Sequence, residues 1–266
     1  MYIAIVSIHS TAIVSPKAEI SSSAIIGPYC IIDEKVKIGP GTKLNSHIVV
    51  GSEYGSVSIG KRNFIQSGAI LGGAPQHLNY KKNQGQLEIG DDNRIGENVT
   101  INLGSSLGKG KTKIGNKISI MAYAHIGHDC EIQDNSVITN LTQLAGHVVI
   151  GEQAIISGMV PITQFVRIGR LSFVSANSKV NKDIIPFTIA DGEWAIPKAI
   201  NKIGLKRASI PIDSINNIEK SLKILLSPKY NIKSALHKIN EEVTACSYIK
   251  YLIEFVERSK KGVARK

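Results

Sequence analysis

"IGNKISIMAYAHIGHDCEIQDNSVI", residues 114–138, carries a branched aliphatic residue at every sixth position. The series begins at Ile114 and continues in steps of six to Val180 without a miss, and another series runs from Ile8 to Val50. A period of six fits neither an α-helix, with 3.6 residues per turn, nor a simple alternating strand. It is typical of a chain that makes a short strand, turns and repeats, with one aliphatic side chain per strand pointing inward.

These hexapeptides predict the architecture. Three of them close a triangular coil, and successive coils stack at the spacing of neighbouring strands, about 4.8 Å. Glycine often follows the aliphatic residue, where it relieves crowding at the corner of the coil. The sequence therefore predicts an all-β solenoid, a parallel β-helix over residues 1–196. After Val180 the rhythm ends and apolar residues take helical spacing, so we expect a small helical domain over residues 197–266.

Two segments interrupt the rhythm. Residues 72–87 keep its phase, because a whole number of hexapeptides separates Leu71 from Ile89, but His77 and Asn83 would then point inward, so we expect a loop that bulges out. Residues 103–113 are rich in Gly, Ser and Lys and add residues that the period does not use. Loops on a rigid scaffold often carry function. Taken alone, however, a tolerated insertion explains either segment equally well.

Basic residues are concentrated in the C-terminal quarter. The chain has a net charge of +11, and residues 197–266 hold 15 Lys and Arg against 6 Asp and Glu. Such a block attracts nucleic acid, an anionic membrane surface, an acidic protein or a phosphate-bearing substrate, although a solvated tail that aids solubility is the plain alternative. Aromatic residues make up only 5% of the chain and none alternates with the basic ones, so we do not expect nucleic-acid binding.

The three cysteines, Cys30, Cys130 and Cys246, lie far apart and without zinc-like spacing, which fits a reducing compartment. The apolar stretch at the N-terminus lacks the basic lead-in of a signal sequence. No apolar run approaches the roughly 20 residues that span a bilayer. We therefore expect a cytoplasmic protein without stable membrane insertion.

Three histidines, His125, His128 and His147, lie close together in the sequence. Counting three hexapeptides per coil places His128, Gly146 and Gln164 in one column, about 4.8 Å apart per step. Three neutral imidazoles with an open fourth position would suit zinc. The gamma-class carbonic anhydrases hold such sites on a similar prism, but their closest histidine pair has a longer spacing. Surface histidines without function and a general base are the other two interpretations.

A general base is the interpretation we favour. His128 would accept a proton from a sugar hydroxyl or amine near neutral pH. Asp129 would set the tautomer of its ring, although neighbouring residues on a strand point in opposite directions, and the orienting group would then lie elsewhere. Gly146, one coil above, has no side chain and would present a backbone N–H to a developing oxyanion. This combination predicts acyl transfer, with no metal.

Several motifs carry a resemblance that runs nearly from end to end. They are "IHSTAIV" (8–14), "AHIGHDC" (124–130), "LAGHVVIG" (144–151), "GMVPITQF" (158–165) and "GLKR" (204–207). The chain resembles the UDP-N-acetylglucosamine O-acyltransferases of lipid A biosynthesis. That resemblance implies a left-handed coil and a homotrimer with active sites between subunits. It further implies direct transfer of a 3-hydroxyacyl chain from acyl carrier protein, an acidic partner, to the 3-hydroxyl of the UDP-sugar, without metal, cofactor or covalent enzyme intermediate.

The resemblance also assigns roles to residues. His128 matches the catalytic base and Gly146 the oxyanion donor, and Asn201 and Arg207 match residues that hold the nucleotide end. The positions that match substrate contacts are Gln76, His77, His125, His147, Gln164, Asn201 and Arg207.

Several positions depart from the usual family residues. His77 replaces an aspartate and Asn79 a lysine in the loop that meets the sugar, and the other replaced positions are Asn102, Thr163, Ile203 and Ala208. Because an imidazole in place of a carboxylate inverts the local charge preference, the acceptor sugar could differ. An alternative is therefore a paralogue that acylates another nucleotide-linked sugar, such as an amino sugar, from acyl carrier protein or coenzyme A. A non-catalytic scaffold is the third hypothesis.

A second column concerns the acyl donor. Asn140, Gly158 and Ala176 follow one another at intervals of three hexapeptides and are small or modest in size, as a groove for an acyl chain along the prism would require. Family members that accept longer chains often have glycine at the position of Ala176. A methyl group on the groove floor shortens the accepted chain, so we expect a hydroxyacyl chain of medium length.

Overall fold

The structure is a computed structural model and describes residues 8–77, 79 and 85–265. Three parallel sheets form the walls of a triangular prism, and each turn of the chain adds one short strand to each wall. In chain order the strands are β1 (Ile13–Val14), β2 (Glu19–Ile20), β3 (Ile25–Ile26), β4 (Ile31–Ile32), β5 (Val36–Ile38), β6 (Lys43–Leu44), β7 (Val49–Val50), β8 (Gly55–Ile59), β9 (Phe64–Ile65), β10 (Ile70–Gly73), β11 (Gly85–Ile89), β12 (Arg94–Ile95), β13 (Thr100–Asn102), β14 (Lys111–Ile114), β15 (Ser119–Ile120), β16 (His125–Ile126), β17 (Glu131–Ile132), β18 (Val137–Ile138), β19 (Gln143–Leu144), β20 (Val149–Ile150), β21 (Ile155–Ile156), β22 (Pro161–Ile162), β23 (Arg167–Ile168), β24 (Phe173–Val174), β25 (Thr188–Asp191) and β26 (Ile196–Ile200).

The sheets and corners of the prism are named by chain order. The first sheet runs from β1 through every third strand to β22, the second from β2 to β23, and the third from β3 to β24 with β25 and β26 added at its end. The first corner joins the first sheet to the second, the second corner joins the second sheet to the third, and the third corner leads back to the first sheet. The predicted parallel β-helix is confirmed.

One aliphatic side chain per strand fills the prism. From Ile26 to Val180, every residue of the hexapeptide series is at most 3% exposed. Each such burial contributes about 1.5–3 kcal/mol, so the repeat is its own source of stability. Most corners contain one residue in the left-handed backbone region, such as Asp129 (φ 61°) or His147 (φ 65°). This conformation costs roughly 1–2 kcal/mol for a residue with a side chain, and the parallel ladders on either side offset it.

The coils differ in length. Ile32 pairs with Val50 after three hexapeptides, but the coils that pair Val50 with Leu71, Leu71 with Ile101 and Ile101 with Ile126 are all longer. The lengthened turns all lie at the first corner, between a strand of the first sheet and the next strand of the second. The longest two are here named the outer loop, residues 74–84, and the arch, residues 103–110.

The hexapeptide phase is kept across residues 72–87, since Leu71 and Ile89 both point inward, but the two residues do not belong to the same sheet. Leu71 lies in the first sheet and Ile89 in the second, so the two do not stack. The outer loop lengthens its coil by two whole hexapeptides, so counting in steps of six passes through it undisturbed. The bulge itself is confirmed, since β10 ends before the outer loop and β11 begins after it. His77 points away from the core, and Asn83 lies outside the described residues.

The C-terminal region is helical, as predicted. Its helices are α1 (Lys202–Arg207), α2 (Ile212–Leu225), α3 (Ile232–Glu242) and α4 (Ser247–Glu257). α3 and α4 are separate helices because the chain between them is extended at Val243 (φ −116°, ψ 132°) and at Cys246 (φ −146°, ψ 172°). Among the described helices, none is both long and apolar enough to cross a membrane.

The helices pack on the end of the prism rather than standing apart. Phe187, Ile185 and Leu171 of the last coils join the apolar cluster that α1–α4 form. The antiparallel hairpin of β25 and β26, which the sequence did not predict, extends the third sheet into this region. The expected boundary between residues 196 and 197 falls inside β26, and the division into two domains stays a prediction.

Candidate functional site

His128 lies in the turn of residues 127–130 at the first corner and is only 2% exposed. Its Nδ1 is 2.8 Å from Oδ2 of Asp129, which is fully buried. The two adjacent side chains meet because this segment is a turn and not a strand, with Asp129 in the left-handed region. The concern that neighbouring residues point apart therefore does not apply, and Asp129 is the group that orients His128.

Further hydrogen bonds fix Asp129. The backbone N–H of Ser105, in the arch, donates to the same Oδ2 at 3.0 Å. The hydroxyl oxygen of Thr112 accepts the N–H of Asp129 at 2.9 Å. Because a carboxylate oxygen accepts hydrogen bonds, its contact with Nδ1 of His128 places the ring proton on Nδ1 and leaves Nε2 as the acceptor.

The other ring nitrogen, Nε2 of His128, is buried and has no hydrogen-bond partner among the described residues. Gly146 lies against it, because a Cβ built on Gly146 would be 2.5 Å from this nitrogen. In the described part of the chain, no backbone acceptor takes the N–H of Gly146, whose position in the corner leaves it outside the ladders. A free proton acceptor and a free N–H donor therefore lie side by side.

Aromatic rings surround His128. The ring of His147 crosses it at 88° with centroids 5.0 Å apart, and the ring of His77, from the outer loop, lies 5.9 Å away at 82°. Phe165 stacks on His147 at 4.4 Å and 8° and remains 54% exposed. Phe165 is not among the predicted site residues, although it follows His147 by three hexapeptides and so had to lie one coil above it.

Two neighbouring imidazoles stay neutral near pH 7. Burial lowers the pKa of His125, and the charge of His128 lowers it further; Nδ1 of His125 also lies 2.8 Å from the hydroxyl of Thr100. Burial likewise lowers the pKa of His147, against an opposing effect of Asp129. Neutral rings can donate or accept hydrogen bonds without repelling a proton held by His128.

Three further polar residues lie at or beside this corner. Gln164 lies in the column of His128 and Gly146, as predicted, and its side chain is exposed, as is that of Gln76 in the outer loop. Asn102 donates from Nδ2 to the carbonyl of Ala74 at 2.6 Å and so fastens the start of the outer loop. Its Oδ1 is buried and, among the described residues, has no partner.

Asn201 and Arg207 are not brought to this corner. They line a groove of about 530 Å³ between α1, the second corner and the third sheet, together with Gln153 and Phe173. Both polar atoms of the Asn201 amide are used within the chain, since Oδ1 caps α1 at the N–H of Gly204 and Nδ2 donates to a backbone carbonyl. Arg207 is exposed.

The predicted acyl column lies at the third corner. Asn140, Gly158 and Ala176 stack in register, and backbone bonds of the following residues link the three turns. The outer face of the first sheet separates this column from His128. Asn140 and Ala176 are not fully buried in the single chain, so a closed groove here requires a second wall.

Ligand atoms of His128, Asp129 and His147 lie within 4.8 Å of one another, a spacing that could hold a metal ion. Hydrogen bonding accounts for the same arrangement. Oδ2 of Asp129 already receives Ser105 N–H and His128 Nδ1, and His147 Nε2 is 3.8 Å from it. A cation bound through Oδ2 would have to displace those donors, whereas Oδ1 of Asp129 has no partner among the described residues.

Cys130, next to Asp129, is not a nucleophile. Burial raises the pKa of its thiol to about 12, and its S–H donates to the carbonyl of Ala145 at 3.1 Å. A thiolate is the reactive form of cysteine, and burial of this thiol disfavours that form.

Comparison with known proteins places this corner in context. A family model described as "Udp N-acetylglucosamine O-acyltransferase; Domain 2" matches residues 183–264. A relative from Thermodesulfovibrio yellowstonii, an acyl-[acyl-carrier-protein]–UDP-N-acetylglucosamine O-acyltransferase, is 42% identical over 258 residues, which are 97% of this chain and 99% of that protein.

Solved structures agree along the whole chain. The UDP-N-acetylglucosamine acyltransferase of Francisella novicida superposes with a TM-score of 0.93 at 36% identity, covering 97% of this chain and 94% of that one. The UDP-N-acetylglucosamine O-acyltransferase of Moraxella catarrhalis gives 0.93 at 37% identity, with coverage of 97% and 100%. The fold is a left-handed parallel β-helix with four short C-terminal helices, and the predicted hand is confirmed.

Proposed function

The chain belongs to the UDP-N-acetylglucosamine O-acyltransferase family, and we propose that it performs the reaction of that family through His128. The enzyme transfers a 3-hydroxyacyl chain from acyl carrier protein to the 3-hydroxyl of UDP-N-acetylglucosamine, the first step of lipid A biosynthesis. One observation carries the assignment to His128. Its Nδ1 is held by Asp129, while its buried Nε2 is unpartnered among the described residues and lies against Gly146.

The proposed mechanism is direct transfer. Nε2 of His128 removes the proton of the sugar 3-hydroxyl as that oxygen attacks the thioester carbonyl. The carbonyl oxygen gains negative charge and is stabilised by the N–H of Gly146. The intermediate then collapses, the C–S bond breaks, and the leaving thiolate of the carrier takes the proton from His128. Asp129 stabilises the imidazolium between these two proton transfers.

Substrate contacts surround this centre in the proposal. His125, His147 and Gln164 contact the reacting groups from the coils of the first corner, and Gln76 with His77 meets the sugar from the outer loop. Support comes from their placement, because the ring of His77 reaches within 5.9 Å of the ring of His128.

A homotrimer would complete the site. Within one chain, the Asn201–Arg207 groove lies at the second corner and the Asn140–Ala176 column at the third, both away from His128. A neighbouring subunit that placed its groove and column opposite the first corner would unite them. The third corner also exposes Tyr123 and Met159, apolar side chains that an interface would cover.

The charge of the C-terminal region supports acyl carrier protein as the donor. Residues 197–266 contain 15 basic and 6 acidic residues, and this surplus of positive charge suits an acidic acyl carrier protein. We place the enzyme in the cytoplasm, where that carrier and nucleotide sugars are available.

The assay that tests the proposal compares acceptors. Purified protein with hydroxyacyl carrier protein should acylate UDP-N-acetylglucosamine, and His128→Ala should reduce turnover at least about a thousandfold. Unchanged turnover in this variant removes His128 as the base. His77, an imidazole beside His128, favours testing the 3-amino analogue of the sugar as a second acceptor. Faster transfer to that analogue would make the amino sugar the substrate, and no transfer to either would favour a scaffold.

Chain length is tested at Ala176. We expect the wild type to prefer a medium-length hydroxyacyl chain, and Ala176→Gly to shift the preference to longer chains because a methyl group leaves the groove floor. Mass spectrometry of the product from mixed acyl carriers measures this. An identical chain distribution in the two proteins would remove Ala176 from the groove.

A further inference from the structure

The arch leaves the prism directly beneath the turn that carries His128, since β13 and β16 are neighbours in the first sheet. Ser105 organises it and is only 1% exposed. Its carbonyl accepts the N–H groups of Gly108 at 2.9 Å and Gly110 at 3.0 Å, and its hydroxyl accepts the N–H of Leu107 at 3.2 Å. The arch is therefore a compact turn with one buried organising residue.

This turn closes over Asp129. Ser105 donates its N–H to the carboxylate oxygen that also meets His128. No strand of the prism supplies that bond, which comes from residues beyond the hexapeptide repeat. The arch therefore supplies one of the two donors to Oδ2 of the buried Asp129, whereas Oδ1 has no hydrogen-bond partner among the described residues.

Gly108 makes the closest approach. A Cβ built on it would lie 2.5 Å from Oδ2 of Asp129 and 2.5 Å from Cε1 of His147. The backbone of Gly108 is not in the left-handed region, so a side chain is excluded by space and not by conformation. Gly110, close by in the same turn, is the opposite case, with φ at +73° and nothing within 4 Å of its Cβ position.

We propose that the arch is a positioning element of the acyl-transfer reaction, with Gly108 as the positioning residue that lets Ser105 N–H reach Asp129. The inference rests on the proposed function of His128. A methyl group on Gly108 lifts the arch from the carboxylate, Ser105 N–H loses its acceptor, and water replaces it. Asp129 then no longer holds Nδ1 of His128 in one orientation, and the proton-accepting Nε2 is no longer fixed in a position facing the substrate.

The experiment compares Gly108→Ala with Gly110→Asn. Asparagine tolerates the left-handed region and meets open space, so Gly110→Asn should keep wild-type kinetics. Gly108→Ala should lower kcat by about 10- to 100-fold, as expected for a displaced catalytic group. KM for the substrates should rise by less than kcat falls, because the added methyl group meets Oδ2 of Asp129 and reaches the bound molecules only through Cε1 of His147.

A double-mutant cycle separates positioning from a general disturbance. If the arch acts through Asp129, adding Gly108→Ala to the Asp129→Asn variant should lower kcat by a further factor of less than about two. An equal loss in both backgrounds overturns the inference, as does wild-type kcat in Gly108→Ala. Thermal unfolding checks that each variant folds. Should Gly108→Ala not fold, Ser105→Ala replaces it in the cycle, because this change loosens the arch by removing the acceptor of Leu107 N–H.

A second readout needs no substrate. In protein with ¹⁵N-labelled histidine, the Nδ1–H signal that His128→Ala removes should exchange slowly with water in the wild type and in Gly110→Asn. In Gly108→Ala it should exchange faster, and slow exchange there would contradict the proposal. If the wild type transfers no acyl chain, the proposed function fails, while this measurement still decides whether the arch orients His128.

Discussion

The arch and the outer loop leave the prism at the same corner, in consecutive coils, and approach His128 from different sides. The start of the arch, residues 103–105, is buried and bonds to the prism through backbone groups, with Ser105 donating to Asp129, whereas residues 107–109 are exposed. Of the described residues in the outer loop, Gln76 is exposed and His77 is half-buried. It meets His128 through a ring edge, with centroids 5.9 Å apart.

This difference teaches which side of the imidazole does what. A hydrogen bond to a buried carboxylate is about twice as strong as one between neutral groups, whereas an edge-to-face ring contact contributes about 0.5–1.5 kcal/mol. The Nδ1 side of His128 is therefore rigid and sets its chemistry. The side facing His77 is held less firmly and suits recognition of the acceptor.

The largest effect should come from the rigid side. Asp129→Asn keeps the shape but turns an acceptor into a group with an N–H, so Nδ1 of His128 loses its proton and Nε2 gains one. We expect kcat to fall on the order of 10³- to 10⁴-fold, as for other bases held in the wrong tautomer. Steady-state kinetics measure this, with replacement of the exposed Asp191 at the end of β25 by asparagine as the control. Activity within a few-fold of wild type would transfer the orienting role to another group.

A smaller effect should come from the open side. His77→Ala removes a ring that contacts the acceptor side of His128 but leaves Asp129 untouched. We expect KM for the sugar nucleotide to rise about 3- to 10-fold, equivalent to the roughly 0.5–1.5 kcal/mol of one ring contact, with little change in kcat. The exposed His237 on α3, replaced by alanine, provides the control. A loss confined to kcat would contradict the division between the two sides.

The comparison also shows how far the sequence carries. The hexapeptide series predicts the coils because one buried aliphatic per short strand admits a single arrangement, and the column of His128, Gly146 and Gln164 follows from it by counting. The length of the outer loop cannot be found by counting, because it lengthens its coil by whole hexapeptides and so leaves the period of six unchanged. The arch appears in sequence only as a Gly-rich insertion, and its bond to Asp129 depends on a three-dimensional return of the chain.

Turn geometry is the second thing that counting cannot supply. Asp129 reaches His128 because its backbone is left-handed. The presence of an aspartate at this position does not by itself predict that conformation. The stack of His147 and Phe165 arises in the same way, as both residues occupy that conformation one coil apart. Separation of Asn201 and Arg207 from His128 likewise follows from which corner each faces, which motif matching does not reveal.

Protonation of His125 and His147 at low pH should have a modest effect on the stability of the fold. The lowered pKa values of His125 and His147 mean that the folded chain binds these protons less readily than the unfolded chain. Stability is then full above about pH 6.5 and falls as the pH drops toward the lowered values. We expect Tm to decline as the pH falls below about 6.5, and His125→Gln to flatten part of that decline. An equally steep decline in this variant would place the titrating groups elsewhere.

The smallest effect should follow metal removal, which tests whether the rigid side is held by hydrogen bonds alone. His128, Asp129 and His147 could hold a cation by spacing, but Ser105 N–H and Nδ1 of His128 already occupy the carboxylate oxygen. Dialysis against a chelator should leave kcat and Tm unchanged, and elemental analysis should find no stoichiometric zinc. A loss of activity that zinc restores would show that a cation orders the three groups, and the arch would then close over a metal centre instead of a histidine–aspartate pair.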